Sequence, residues 1–388
     1  MLKQTFILVF LFFSGMSHSF AQEILTLDKA LSIAFEHSPS LIQSKLSLEQ
    51  RELNLKAQDA SLKSQFSLDI NPFNYTRNNQ YDSYNSNWYA NEIMSSSASL
   101  GIRQPIKWTD GTISLVNDLS WQDASNKTSG GKNTSFNHNL SLRLEQPLFT
   151  YNRTKMQLKE LEYALENAKL SYAMQELNIE KNVTTQFYSV YQKQKDLNTA
   201  RDEYHNQKQN YDIIKNKVEA GLVAREELYQ AEVNLATSES SVYSAEIDYE
   251  NSKDNFKLLL GISLDEDIMV LPNTDIVTVN VNSDDATKYA LEQRMELRQK
   301  QITLEQDVFN IIRAKAENEF KGNLSARIAM DALSGKVKNL YDNPTDNEQI
   351  GISLTIPIFD WGAKKAKVKS SQLAMESNQI DMDEEKKN

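Results

Sequence analysis

The chain contains no cysteine. That excludes a disulfide framework, a cysteine nucleophile, thiolate metal sites and a lipid-modified N-terminal cysteine. Only four histidines are present, and His37, His138 and His205 are scattered without metal-ligand spacing, so neither metal nor cofactor is expected. No catalytic constellation is legible either. There is no Gly-x-Ser-x-Gly and no dinucleotide fingerprint, and Gly130-Gly131-Lys132-Asn133 lacks both the early glycine and the Ser/Thr of a phosphate loop. Basic clusters are missing too: the net charge is −11, which argues against a nucleic-acid partner. Glycine and proline are sparse, at 11 and 7 residues, as long uninterrupted helices require. Long apolar runs are absent beyond the first residues. There Lys3, the apolar Phe6–Phe13 and Ser19-Phe20-Ala21 read as a signal peptide over 1–21. That run is shorter than the roughly 20 residues of a spanning helix. A mean hydropathy of −0.56 leaves a transmembrane β-barrel open, because its strands are only half apolar.

What is present is a long-range repeat. Aligning Leu41 with Leu297 also pairs Ala34 with Ala290, Glu36 with Glu292 and Leu48 with Leu304. Glu49 with Glu305, Gln50 with Gln306, Ala60 with Ala316 and Leu68 with Leu324 follow. Two related halves are predicted, 22–262 and 283–388, with a linker over 263–282. Each half starts with a short helix and a second helix. Thr26 caps 27–37, and Ser38-Pro39 starts the next, whose leucines (Leu41, Leu48, Leu55, Leu62) recur at the coiled-coil period.

Each half then turns to period two. Six strand-like segments lie near 66–71, 98–104, 113–121, 140–145, 324–331 and 350–356, within strand regions 66–149 and 322–358. The Asn-, Ser-, Asp- and Tyr-rich stretches 76–97, 123–135 and 332–348 read as surface loops. Three strands close on proline, an aliphatic and aromatics, at Pro105, Pro147 and Pro357. Trp108, Phe149, Tyr151, Phe359 and Trp361 thus suit a membrane-interface belt, or else aromatic edges of a soluble sheet.

Between Arg153 and Lys217 neither glycine nor proline interrupts a three/four/seven apolar pattern, which predicts a helix of about 100 Å. Gly221 breaks it. A second helix runs to Gly261, so 153–260 forms an antiparallel hairpin. In the linker, Val277, Val279 and Val281 suggest a short strand.

Three features together resemble the TolC family of outer-membrane efflux proteins: half-apolar strands running into a long coiled-coil hairpin, the doubling of that scheme, and the signal peptide. The matching phrases are Leu25-Thr-Leu-Asp-Lys-Ala-Leu31 with Ser38-Pro39-Ser40-Leu41, the Pro-aliphatic-Phe strand ends, Gly221 to Glu232, and Leu258-Leu-Leu-Gly261. The resemblance implies an α+β membrane protein, a homotrimer whose strands jointly close one antiparallel transmembrane β-barrel in outer-membrane lipid. Its coiled-coil hairpins would form an α-barrel tunnel through the periplasm. It implies no enzyme, but a passive duct of an efflux or type I secretion system, working with a periplasmic adaptor (membrane fusion) protein and an inner-membrane transporter. The adaptor would dock at the tip residues Gly221, Leu222, Val223, Ala224, Arg225 and Glu226. Asp69, Arg103, Arg143, Glu145, Arg327 and Asp331 would face the lumen. Two departures stand out. Six strand segments replace the family's usual four, so either the barrel is larger or an early pair lies outside its wall. The second hairpin, expected from Gly362 onward, is mostly missing, which reads as a C-terminal truncation. Alternatives are a secreted coiled-coil structural protein without a pore, and a truncated, non-functional family member.

Overall fold

The computed structural model describes residues 23–387 apart from 85, 127–130, 274, 276 and 277. The predicted signal peptide, 1–21, and Val277 lie outside the described residues. The chain divides into two compact units, each drawing on separated stretches of sequence.

The first unit comprises residues up to Leu46 and Tyr172–Val281. It contains strand β1 (Glu23–Leu25), helix α1 (Leu27–His37) and the start of α2 (Pro39–Ser61). Most of α3 (Arg153–Glu219), all of α4 (Arg225–Leu260) and strand β6 (Ile268–Val270) complete it. Thr26 caps α1 by accepting from the Lys29 N–H. Helices α3 and α4 lie antiparallel because only five residues join them. They are tied by Lys193–Asp248 (2.8 Å) and Arg201–Glu246 (3.0 Å). The core is built on Phe187 and Phe256, both fully buried and edge-on with centroids 6.0 Å apart. Around them gather Ile179, Val183 and Val190 of α3, Ala30 and Ala34 of α1, and Leu25, Ile268 and Val270. Those last three come from β1 and β6, which pair in parallel. The strand suggested at 277–281 is therefore misplaced: residues 278–282 are irregular, and the strand forms at 268–270. Alternating valines make no strand without a pairing edge. Ile268 and Val270 find that edge in β1 and are buried, whereas Val279 and Val281 stay exposed.

Helix α4 ends at Gly261 in the left-handed conformation, φ +76°, with its N–H on the Lys257 carbonyl (2.9 Å). A Cβ there would stand 2.2 Å from the His37 carbonyl oxygen, so the α1–α2 junction closes directly on this glycine. The first repeat starts with the same elements as the second. The offset pairing Leu41 with Leu297 also brings α1 onto α5 (Ser283–Gln293) and α2 onto α6 (Met295–Ala316).

The second unit, Ser47–Ser171 and Asn282–Asn388, holds one antiparallel sheet of six strands. Its order is β2 (Gln65–Asp82), β3 (Asn87–Ile106), β4 (Gly111–Asn126), β5 (Gly131–Leu148), β7 (Lys321–Ser334) and β8 (Thr345–Thr355). Both early strand segments therefore belong to the same sheet as the rest. The stretches expected as loops are mostly strand. Pairing continues to Asp82↔Asn87 and Asn126↔Gly131, and 335–344 is a longer connection. Asn, Ser, Thr and charged residues dominate these outer ends and interrupt the apolar alternation, yet the register begun in the apolar part carries them on. Pro72 sits at a register shift on the edge strand β2, where a missing N–H disturbs least. Pro105 and Pro147 still occupy ladder positions, one residue before their strands end.

Beside the sheet, α6 is held to the start of α3 by Arg298–Glu166 (2.6 Å), Arg313–Glu160 (2.5 Å) and the stacked rings of Tyr163 and Phe309. Helix α7 (Ala363–Glu385) follows α6 through Asn378–Asp307 (2.6 Å) and the Arg294–Glu385 pair.

Candidate functional site: an amphipathic sheet and a hairpin tip

Register sorts the sheet into two unlike faces. One carries Phe66, Leu68 and Ile70, opposite Ile102, Leu100 and Ala98. It continues through Leu115↔Leu142, Leu142↔Ile328 and Leu324↔Ile352. The other carries Asp69, Arg103, Arg143, Glu145, Arg327 and Asp331, all six on one side by their cross-strand partners. Asp118 joins them opposite Ser99 and Asn139. Nothing in the sequence singles it out, because the apolar alternation over 113–121 marks the opposite face.

Exposure is inverted relative to a soluble sheet. On the apolar face Leu142 is 48% and Ile328 57% exposed. On the polar face Ser141 is 3% and Ala329 1% exposed.

The apolar face has aromatic borders. At the helix end stand Trp108, Phe149, Phe359 and Trp361, all exposed, with Tyr151 half-buried. Phe149 meets Phe320 at 5.1 Å, and Phe359 meets Trp361 at 4.7 Å. At the other end Trp121 lies opposite Phe136. Neither this second border nor Phe320 was picked out from sequence, since no proline motif marks them. Ile113 to Trp121 spans about 27 Å along the strand, or roughly 21 Å of height at a tilt near 40°.

The helix ends of the strands are tightly built. Asp110, in the β3–β4 turn, accepts from the Thr154 N–H (3.1 Å), the Thr154 hydroxyl (2.5 Å) and Arg153 Nε (3.2 Å). Asn152 accepts from the Lys155 N–H and donates to the Lys107 and Trp108 carbonyls. Burial pushes the Asp110 carboxyl up, but the Thr154 hydrogen bonds and Arg153 outweigh it and hold the pKa below the usual value. The corresponding start of α7 uses Asp360, which accepts from the Lys364 and Gly362 N–H groups and is likewise held low.

The far end of the α3–α4 hairpin is a Schellman-type turn. Gly221 has φ +71° and donates to the Val218 carbonyl (2.9 Å), and Leu222 donates to the Lys217 carbonyl (2.9 Å). Leu222 is 74% exposed, whereas Val223 is half-buried. Ala224 starts α4 without a side-chain cap, and Arg225 and Glu226 are exposed in its first turn. Much of the helix surface is also open: Leu46, Leu53, Tyr229, Val233, Tyr243 and Ile247 are exposed.

A family model described as "Outer membrane efflux protein" matches residues 112–262. No curated protein matches the chain. Solved structures share its fold. The CmeC outer membrane channel of Campylobacter jejuni is 17% identical, covering 92% of this chain and 67% of that chain, with a TM-score of 0.63. The outer membrane protein VceC of Vibrio cholerae is 13% identical, covering 93% and 75%, at 0.62. The MtrE outer membrane channel of Neisseria gonorrhoeae, in its open state, is 17% identical, covering 93% and 70%, at 0.61. The resemblance to outer-membrane efflux proteins read from the sequence is thereby borne out.

Proposed function

We propose that this chain is one subunit of an outer-membrane duct, a passive conduit completed by two further copies. The observation that carries this reading is the inverted sheet, whose apolar face is exposed while Ser141 and Ala329 on its polar face are buried. Lipid tolerates no bare strand edge, yet among the described residues β2 and β8 each lack a neighbour on one side. Joining β8 of one copy to β2 of the next satisfies both edges. Three copies of a six-stranded sheet give an eighteen-stranded barrel, a size at which porin barrels enclose an aqueous channel. Trp108, Phe149, Tyr151, Phe359 and Trp361 form the inner aromatic girdle, and Trp121 with Phe136 belongs to the outer one.

The open apolar stripes of the helices are the surfaces along which neighbouring copies assemble into a tunnel wall. The tip residues Gly221 to Glu226 dock a periplasmic adaptor, through Leu222 above all, and an inner-membrane transporter supplies energy and selects cargo. The test is membrane fractionation followed by native mass measurement in detergent. A trimer in the outer-membrane fraction is expected. Soluble monomer would overturn the duct and favour a secreted coiled-coil protein.

A further inference from the structure

On the polar face, register sorts charge into rows. Arg103, Arg143 and Arg327 fall on one cross-strand line, running Gln65, Arg103, Ser114, Arg143, Arg327, Gln349. Four residues further along the strands, about 13 Å away, a second line holds Asp69, Asp118 and Asp331. The row between them is small where the arginines lie, with Gly101, Ser141 and Ala329.

The arginine row is costly as it stands. Arg143 and Arg327 are directly opposite, a like-charge pairing that destabilises a sheet. Among the described residues no carboxylate lies within ion-pair distance of any of the three, although Asp331 feels the Arg327 charge from farther off and Glu145 stands two residues from Arg143 on the same face. Nε of Arg327 is buried with no hydrogen-bond partner among them. A buried donor left unpaired weakens the fold unless something supplies acceptor oxygens.

We propose that Arg103, Arg143 and Arg327 form a cationic belt that binds small multivalent oxyanions of the phosphate type inside the duct. This rests on the barrel reading, which puts the polar face in the lumen and repeats the row three times. Guanidinium forks match phosphate oxygens in pairs, and rings of arginine are how pores hold and select anions. The aspartate row is a second belt of opposite sign toward the strand-hairpin end.

The test is single-channel recording of the purified protein in a planar bilayer under a potassium chloride gradient, with inorganic pyrophosphate as the blocking probe. Replacing all three arginines (Arg103→Gln, Arg143→Gln, Arg327→Gln) should raise the half-blocking pyrophosphate concentration by roughly tenfold or more, as loss of charged hydrogen bonds implies. The reversal potential should move toward potassium. Asp69→Asn with Asp118→Asn and Asp331→Asn should move it toward chloride and tighten the block. If the triple arginine variant inserts poorly, Arg103→Gln alone, at an exposed position, carries the same readouts with a smaller change. Channels with unchanged block and reversal potential would overturn the belt while leaving the barrel intact. Wild-type protein that makes no channels would overturn the barrel and the belt with it.

Discussion

Gly221 and Gly261 both end a long helix in the left-handed conformation, with φ values of +71° and +76°. Their surroundings differ. A Cβ on Gly221 meets nothing within 4 Å, whereas on Gly261 it stands 2.2 Å from the His37 carbonyl oxygen and 2.7 Å from the His37 carbonyl carbon. Gly221→Ala therefore carries only the left-handed penalty, about 1–2 kcal/mol. Gly261→Ala carries that and an overpacking term of about 1–3 kcal/mol, because a backbone carbonyl cannot swing aside as a side chain can. The total is on the order of 2–5 kcal/mol. Native-state hydrogen exchange reads each site separately, which suits a large assembly that does not unfold in one step. In Gly261→Ala, amides of the last turn of α4 and of Ser38 and Ile42 should lose protection together. In Gly221→Ala the loss should be smaller and confined to the tip. Equal losses at the two sites would refute the claim that the α1–α2 junction closes on Gly261.

Phe187→Ala should destabilise the first unit by about 3–5 kcal/mol, since the ring is fully buried against Phe256, with faster exchange across both helices as the readout. Asp110→Asn should weaken the start of α3 by about 1 kcal/mol, seen as faster cleavage near residue 153 under limited proteolysis. The folded Asp110 pKa is depressed, so its contribution is complete above the ordinary aspartate range and disappears as pH falls through the lower folded value. The Asp110→Asn variant should lack that acid-side step. Val223→Asp and Gly221→Pro should abolish adaptor cross-linking while leaving membrane insertion unchanged; intact cross-linking would remove the docking assignment.

Local chemistry was legible from residues alone. The absence of glycine and proline over 153–217 dictates one helix, because nothing in the run breaks the backbone ladder. Thr26, Ser38-Pro39, Gly221 and Gly261 mark the ends of α1, α3 and α4 and the start of α2 through their own backbone preferences. Period-two apolar alternation likewise located all six strands, and it assigned the charged residues to the face that the register then showed they share. Where regular alternation stops, periodicity no longer marks a strand: the Asn- and Ser-rich outer halves read as loops, because a neighbouring strand rather than their own pattern holds them extended. Pairing partners were equally hidden. Ile268–Val270 is a strand because Glu23–Leu25, some 240 residues earlier, supplies its edge. That Arg143 sits opposite Arg327, and Asp118 in line with Asp69, depends on which strands are neighbours and in what register. Sequence periodicity carries faces within one strand, but rows across strands exist only once the sheet is assembled.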